Sequence, residues 1–115
     1  MAVSGPDCIF CKIVAGEIPA TFLHRDDDVV AIADVSPQAP THLLVMPVRH
    51  VADIATLMEG SGAPLIESLL RVAARLGSRA AGFRLVINSG PEGGQTVGHL
   101  HVHVLGGRQM HWPPG

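Results

Sequence analysis

His99-Leu100-His101-Val102-His103-Val104-Leu105-Gly106-Gly107 alternates imidazole and aliphatic side chains without a break from 99 to 104. Successive side chains on a strand point to opposite faces, which puts His99, His101 and His103 on one face and Leu100, Val102 and Val104 on the other. The aliphatic face is expected to enter a core. The other face becomes a row of three imidazoles spaced roughly 6.5–7 Å apart. Histidine is not a favoured strand residue, and a merely solvated face would carry Thr, Lys or Glu, so the row reads as chemistry. An imidazole with an ordinary pKa near about 6.5 is largely neutral at pH 7 and can act as a nucleophile while its neighbours move protons. Attack on phosphorus by the middle residue, His101, would form a nucleotidyl-histidine that water releases in a second step. Such a nucleophile needs one ring nitrogen free and the other held as a donor, and a neighbouring backbone carbonyl can hold it.

The residues before this stretch suit the same task. Asn88 to Thr96 is a glycine-rich loop, and Ser89, Gly90, Gly93, Gly94 and Thr96 can offer backbone N–H groups and hydroxyls to a phosphate. Further back, Gly82 to Ile87 reads as a strand, and Pro64 to about Ala80 as one long helix. Pro64 suits the first turn, Leu65, Leu69, Val72, Ala73 and Leu76 form the apolar stripe, and Gly82 is the expected stop. A short helical piece runs from Asp53 to Met58. His42 to Pro47 reads as a buried strand behind the proline-punctuated loop Asp34–Thr41, so Asp34 sits at a strand end, a common place for site residues. Thr21–Arg25 and Val29–Ala33 form a hairpin across the acidic turn Asp26–Asp28. Cys8–Gly16 reads as a short helix with Asp7 as its N-cap. Strands clustered around one long helix favour an α+β domain built on an antiparallel sheet of about five strands.

Composition narrows the function. At 115 residues the chain is expected to form one domain over 1–115, with 1–7 as a flexible N-terminus and 106–115 as a C-terminal tail. A formal net charge of −2, no Tyr, one Trp and three Phe disfavour a phosphate-tracking, base-stacking groove, so no nucleic-acid partner is expected. The N-terminal residues lack the pattern of a signal peptide and no apolar run nears membrane-spanning length, so a soluble cytoplasmic protein without a membrane partner is expected. In that compartment the pair Cys8 and Cys11 points to metal or redox chemistry more than to a structural disulfide.

The stretch 99–105 resembles the H-φ-H-φ-H-φ-φ signature of the histidine triad superfamily. Cys8–Val14 with Glu17–Ala20, Asp34–His42, Gly93–Thr96 and the tail Gly106–Gly115 extend the resemblance over nearly the whole chain, toward the histidine triad nucleotide-binding branch. The Pro-Arg pair that typically follows the triad in the dinucleoside polyphosphate hydrolase branch is absent. The resemblance implies a purine nucleoside phosphoramidase that cleaves the P–N bond of adenosine 5′-phosphoramidate-like or aminoacyl-adenylate-like substrates and releases a nucleoside monophosphate. It assigns His101 as nucleophile, His103 to the phosphate, and His42 and His99 to proton handling near the leaving group. Asn88, Gly94 and Thr96 fall on the phosphate side, Asp34 on the ribose hydroxyls, and Ile9, Phe10, Ile13, Ile18 and Leu44 in the base slot. It also implies a homodimer with one sheet running through both copies, the tail with Trp112 reaching toward the partner's site.

Thr96 stands where serine is common, Ile32 replaces an aromatic of the base slot, and Gly98 replaces the aromatic before the triad. None of these touches the nucleophile. Catalysis by this chemistry requires no cofactor. Cys8, Cys11, His50 and His99 form a Cys₂His₂ set like the structural zinc sites of related superfamily members, with buried reduced thiols as the alternative. Other functions stay open: a nucleotide-binding or scaffolding protein with incidental turnover, a dinucleoside polyphosphate hydrolase, or a metallohydrolase. The last is disfavoured because three imidazoles along one straight strand span about 13 Å.

Overall fold

The computed structural model describes residues 7–115. Three helices and five strands follow one another as α1 (Ile9–Val14), β1 (Phe22–Arg25), β2 (Val29–Ala33), β3 (Thr41–Pro47), α2 (Ile54–Met58), α3 (Ala63–Gly77), β4 (Phe83–Val86) and β5 (Val102–Gly106). The strands form one antiparallel sheet in the order β1-β2-β3-β5-β4. The expected fold class, α+β with a five-stranded antiparallel sheet, one long helix and two short ones, is what the chain adopts.

The sheet is covered on both faces. Against α3 lie Val29, Ala31, Val45, Leu100, Val102 and Val104, packed on Leu69, Val72, Ala73 and Leu76. The opposite face, under α1, gathers Val30, Ile32, Leu44 and Met46 with Phe10 and Ile13. Double burial explains why β2 and the second half of β3 read as continuous apolar runs without alternation. Strand β5 alternates because its second face lines a site.

Three expected boundaries shift, each for a local reason. The histidine strand begins at Val102 and not at His99: the Leu100 N–H leaves the ladder and donates to Val51 O at 2.7 Å, so 99–101 bend toward the segment after β3. Leu100 still enters the α3 core, so the alternation holds although the strand is shorter. Helix α3 stops at Gly77, short of Ala80 and Gly82. Its C-cap Ser78 turns its hydroxyl back onto Ala74 O, and Gly77 carries the Phe83 ring where a Cβ would stand 2.5 Å from it. The cap of α1 is Cys8, whose sulfur accepts the Cys11 N–H at 3.4 Å, in place of Asp7. Of the expected flexible N-terminus, residues 1–6 lie outside the described residues.

The β1–β2 turn is closed by Asp26, whose carboxylate accepts the N–H groups of Asp28 and Val29 at 2.8 Å each. No helix among the described residues is long and apolar enough to cross a membrane.

Candidate active site

Pairing register decides which histidines meet. Leu44 lies opposite His103 and His42 opposite Leu105, so His42 and His103 are diagonal neighbours on the face away from α3. Asp34 follows the end of β2, and its N–H donates to His42 O at 3.0 Å. Three side chains converge there: His42 Nε2 is 2.9 Å from His103 Nδ1 and 3.4 Å from Asp34 Oδ2.

The proton positions follow from partners that can only donate or only accept. The Gln38 backbone N–H donates to His42 Nδ1 at 3.0 Å, which places the neutral ring's proton on Nε2 and makes His103 Nδ1 its acceptor. His103 then carries its own proton on Nε2. His99 O can only accept, so His101 Nδ1, 2.8 Å away, is protonated and its Nε2 keeps a free lone pair. The Phe10 ring stands edge-on at 5.1 Å from the His101 ring, and the His101 and His103 rings at 4.9 Å.

Both rings are held neutral. Burial pushes the His101 pKa below the ordinary imidazole value, partly opposed by the His99 carbonyl and the Asp34 charge. Burial first, then the repulsion of His101 and His42, lower His103 to about 4.

A cavity of about 270 Å³ opens in front of these two imidazoles. Ile9, Phe10, Ile13, Ile18 and Leu44, the five residues expected in the base slot, all line it, and Asp34, Thr96, His101 and His103 supply its polar wall. Ile32 lines it as well, together with Pro19, Ala20, Ala33, Val35 and Val97, which were not among the expected site residues. Pro19 and Ala20 carry no chemical signal; they reach the slot because the chain leaving α1 folds back over β2. Asn88 and Gly94 belong to the loop that delivers Thr96, with Gly94 at φ +82°. Trp112 is 82% exposed and does not line the cavity of its own chain.

His99 faces other partners. It is fully buried, its Nε2–H donates to Pro47 O at 2.9 Å, and its Nδ1 faces Cys8 Sγ at 3.4 Å and Cys11 Sγ at 3.6 Å. His50 Nδ1 lies 3.4 Å from Cys11 Sγ. The four donor atoms of Cys8, Cys11, His50 and His99 all fall within 4.8 Å of one another. In a tetrahedral zinc site with Zn–S near 2.3 Å and Zn–N near 2.0–2.1 Å, sulfur and nitrogen ligands stand about 3.5 Å apart, so the donor set fits the ion. The Pro47 carbonyl fixes the His99 tautomer with Nδ1 bare, as a ligating imidazole requires. Asp34, His42 and His103 also converge within that distance, but the only hydrogen-free nitrogen of neutral His42 is spent on the Gln38 N–H, which makes the trio a poor ligand set.

Residues 15–110 match the family described as the HIT domain. The chain is 45% identical over 111 residues to adenylylsulfatase HINT1 of Arabidopsis thaliana, covering 93% of this chain and 76% of that protein. It is 46% identical over 113 residues to a 14 kDa zinc-binding protein of Zea mays, covering 93% and 87%. Among solved structures, a HIT family hydrolase from Legionella pneumophila superposes with a TM-score of 0.89 at 46% identity, covering 95% of this chain and all of that one. With the family matched over residues 15–110 and relatives at 45% identity or more that it covers to at least three quarters of their length, the chain belongs to the HIT domain family.

Proposed function

We propose that the protein is a purine nucleoside phosphoramidase that releases a nucleoside monophosphate through a nucleotidyl-histidine. The observation that carries this reading is the His101 ring: Nδ1–H is tied to the His99 carbonyl, and the ring sits on the wall of an apolar slot that has a carboxylate beside it.

The purine lies among Ile9, Phe10, Ile13, Ile18 and Leu44, and the Asp34 carboxylate accepts from the ribose hydroxyls. That places the phosphate before His101 and His103, beside Thr96, with Asn88 and the Gly94 backbone on the loop side. The bare Nε2 of His101 attacks phosphorus and the P–N bond breaks. The leaving nitrogen takes a proton from a water molecule, and His103, its Nδ1 held by the His42 Nε2–H, donates its Nε2–H to a phosphoryl oxygen as charge builds. The hydroxide left by that water attacks the nucleotidyl-histidine, the P–N bond to His101 breaks, and the monophosphate departs while His101 regains its lone pair. The Arabidopsis relative's name brings a second substrate within the same scheme: in an adenylyl sulfate, sulfate leaves in place of the amine.

Cys8, Cys11, His50 and His99 hold a structural zinc ion in this reading, supported by the donor spacing and by the zinc-binding relative. A closed four-ligand site supplies folding energy and no open coordination position. His99 therefore serves the metal and not the leaving group. A homodimer joined at the free edge of β4 is supported by the half-exposed Phe83 and by Arg84, whose guanidinium reaches the tail at His111 O. The functional setting is the cytoplasm, with purine nucleotides as partners.

The test is release of AMP from adenosine 5′-phosphoramidate by the protein with chelator in the assay, beside His101→Ala and beside adenylyl sulfate as substrate. AMP from the wild type alone supports the reading. AMP bound without turnover of either substrate replaces it with the binding-protein function.

A further inference from the structure

The mechanism uses the loop between β4 and β5 without giving Gln95 a role, although its side chain is the loop's main tether. Gln95 Oε1 accepts the Gly90 N–H at 3.0 Å, and Nε2 donates to Ala52 O at 2.7 Å and to Val97 O at 3.0 Å. Its own N–H closes the loop onto Gly90 O at 3.1 Å. Both ends of the amide are therefore spent on backbone, and none of these contacts is with another side chain.

Nothing else in the loop supplies comparable order. Among residues 88–98, Val97 alone joins a buried apolar cluster. Gly90 and Gly94 take left-handed φ values, and at Gly93 a Cβ would stand 2.5 Å from Ser89 O, so the loop doubles back tightly on residues with little conformational restraint. The far anchor is also informative. Ala52 follows Val51, whose carbonyl accepts the Leu100 N–H at 2.7 Å and so sets the bend that leads into His101. One segment, His50–Ala52, thus holds both the phosphate loop and the approach to the nucleophile.

We propose that Gln95 is a positioning residue that holds the phosphate loop in register with His101, an inference that rests on the nucleotide reading above. Gln95 does not line the cavity; Thr96 next to it does, together with His101 and His103. The amide acts through that neighbour and through the loop's backbone N–H groups, so its effect falls on the phosphate and spares the nucleoside.

Calorimetric titration of AMP and of adenosine into the wild type, Gln95→Ala, Gln95→Glu and the exposed loop-tip control Glu92→Ala separates the two. In Gln95→Ala, AMP affinity is expected to fall roughly 10- to 100-fold, as for the loss of a hydrogen bond to a charged phosphate, while adenosine affinity changes less than about twofold. Gln95→Glu should follow Gln95→Ala, because it keeps the acceptor and loses both donors. Glu92→Ala should match the wild type. Equal loss for AMP and adenosine, or no loss for either, overturns the proposal. Amide hydrogen exchange gives a second readout: exchange over 90–97 should accelerate in Gln95→Ala while α3 keeps its protection, and unchanged loop exchange overturns it too. A wild type that shows no preference for AMP over adenosine overturns the nucleotide reading itself, an outcome distinct from a wild type with that preference and an indifferent Gln95→Ala.

Discussion

His99 and His103 stand four residues apart in one alternating stretch, on the same side of the chain, and burial brings both to a pKa of about 4. Their surroundings nevertheless differ in kind. His99 is enclosed completely, with one nitrogen on Pro47 O and the other against two cysteine sulfurs. His103 borders a cavity, takes one hydrogen bond from His42 and keeps its second nitrogen for whatever enters. Depressed basicity alone therefore does not mark a catalytic imidazole. What separates the two is whether a ring nitrogen faces space that a substrate can occupy. His101 lies between them and borrows from both, since its proton is fixed by the backbone of the first region and its lone pair belongs to the second.

Substitution should divide the two regions sharply. His101→Ala is expected to lower kcat by roughly four orders of magnitude or more, in line with the loss of other covalent nucleophiles, with little change in melting temperature. No covalent nucleotidyl species should then appear by rapid-quench mass spectrometry. His99→Ala should do the reverse in the first instance, lowering zinc content and stability, with activity falling as a consequence. Equal effects of both on stability would erase the distinction.

The proposed ribose contact ranks next. Asp34→Ala should raise KM for adenosine 5′-phosphoramidate by roughly 10- to 100-fold, about the worth of a charge-assisted hydrogen-bonded pair at ~1.5–3 kcal/mol. The same variant should show a much smaller penalty with a 2′,3′-dideoxy substrate, and an undiminished penalty there would remove Asp34 from the ribose. On the metal side, Cys8→Ser should reduce bound zinc well below one per chain by atomic emission. It should also lower the melting point by about 8 °C or more, if the lost ligand costs ~2 kcal/mol in a domain of this size.

The smallest effect is the dependence of stability on pH. The folded-state pKa of His103 lies below its unfolded value of about 6.5, so between about 6.5 and about 4 the unfolded chain takes up a proton that the folded chain resists. Stability from this group is constant above that window, falls as pH drops through it and levels off below. Melting curves from pH 7.5 to 4.5 should show this slope. His103→Gln should make it shallower while the share from His99 remains, and an unchanged slope in that variant would assign it elsewhere.

Much of the site was readable before any coordinates, because it is carried by short-range alternation and by residue types with few other uses. The triad was nameable from its alternation, Asp34 and the five apolar slot residues from the resemblance to the histidine triad family, and the fold brings His101, His103, Asp34 and those five to one cavity. Pro19, Ala20 and Val97 carried no chemical signal, since they reach the slot only because two loops fold over the sheet. The amide network of Gln95 was equally hidden: its key acceptor, Ala52, lies 43 residues away.

The sequence by itself determined the alternation of β5, the amphipathic stripe of α3, the hairpin and the C-x-x-C pair, because each depends on side-chain period or local backbone preference over a few residues. Only the tertiary structure decided where β5 starts, which nitrogen of each histidine is free and which imidazole turns away from the cavity toward the sulfurs. Those outcomes hang on single contacts between distant segments: Leu100 N–H on Val51 O, His42 Nε2–H on His103 Nδ1, and His99 held between Pro47 and Cys8. No periodicity encodes them, because hydrogen-bond partners 49 to 91 residues apart are chosen by packing of the whole chain.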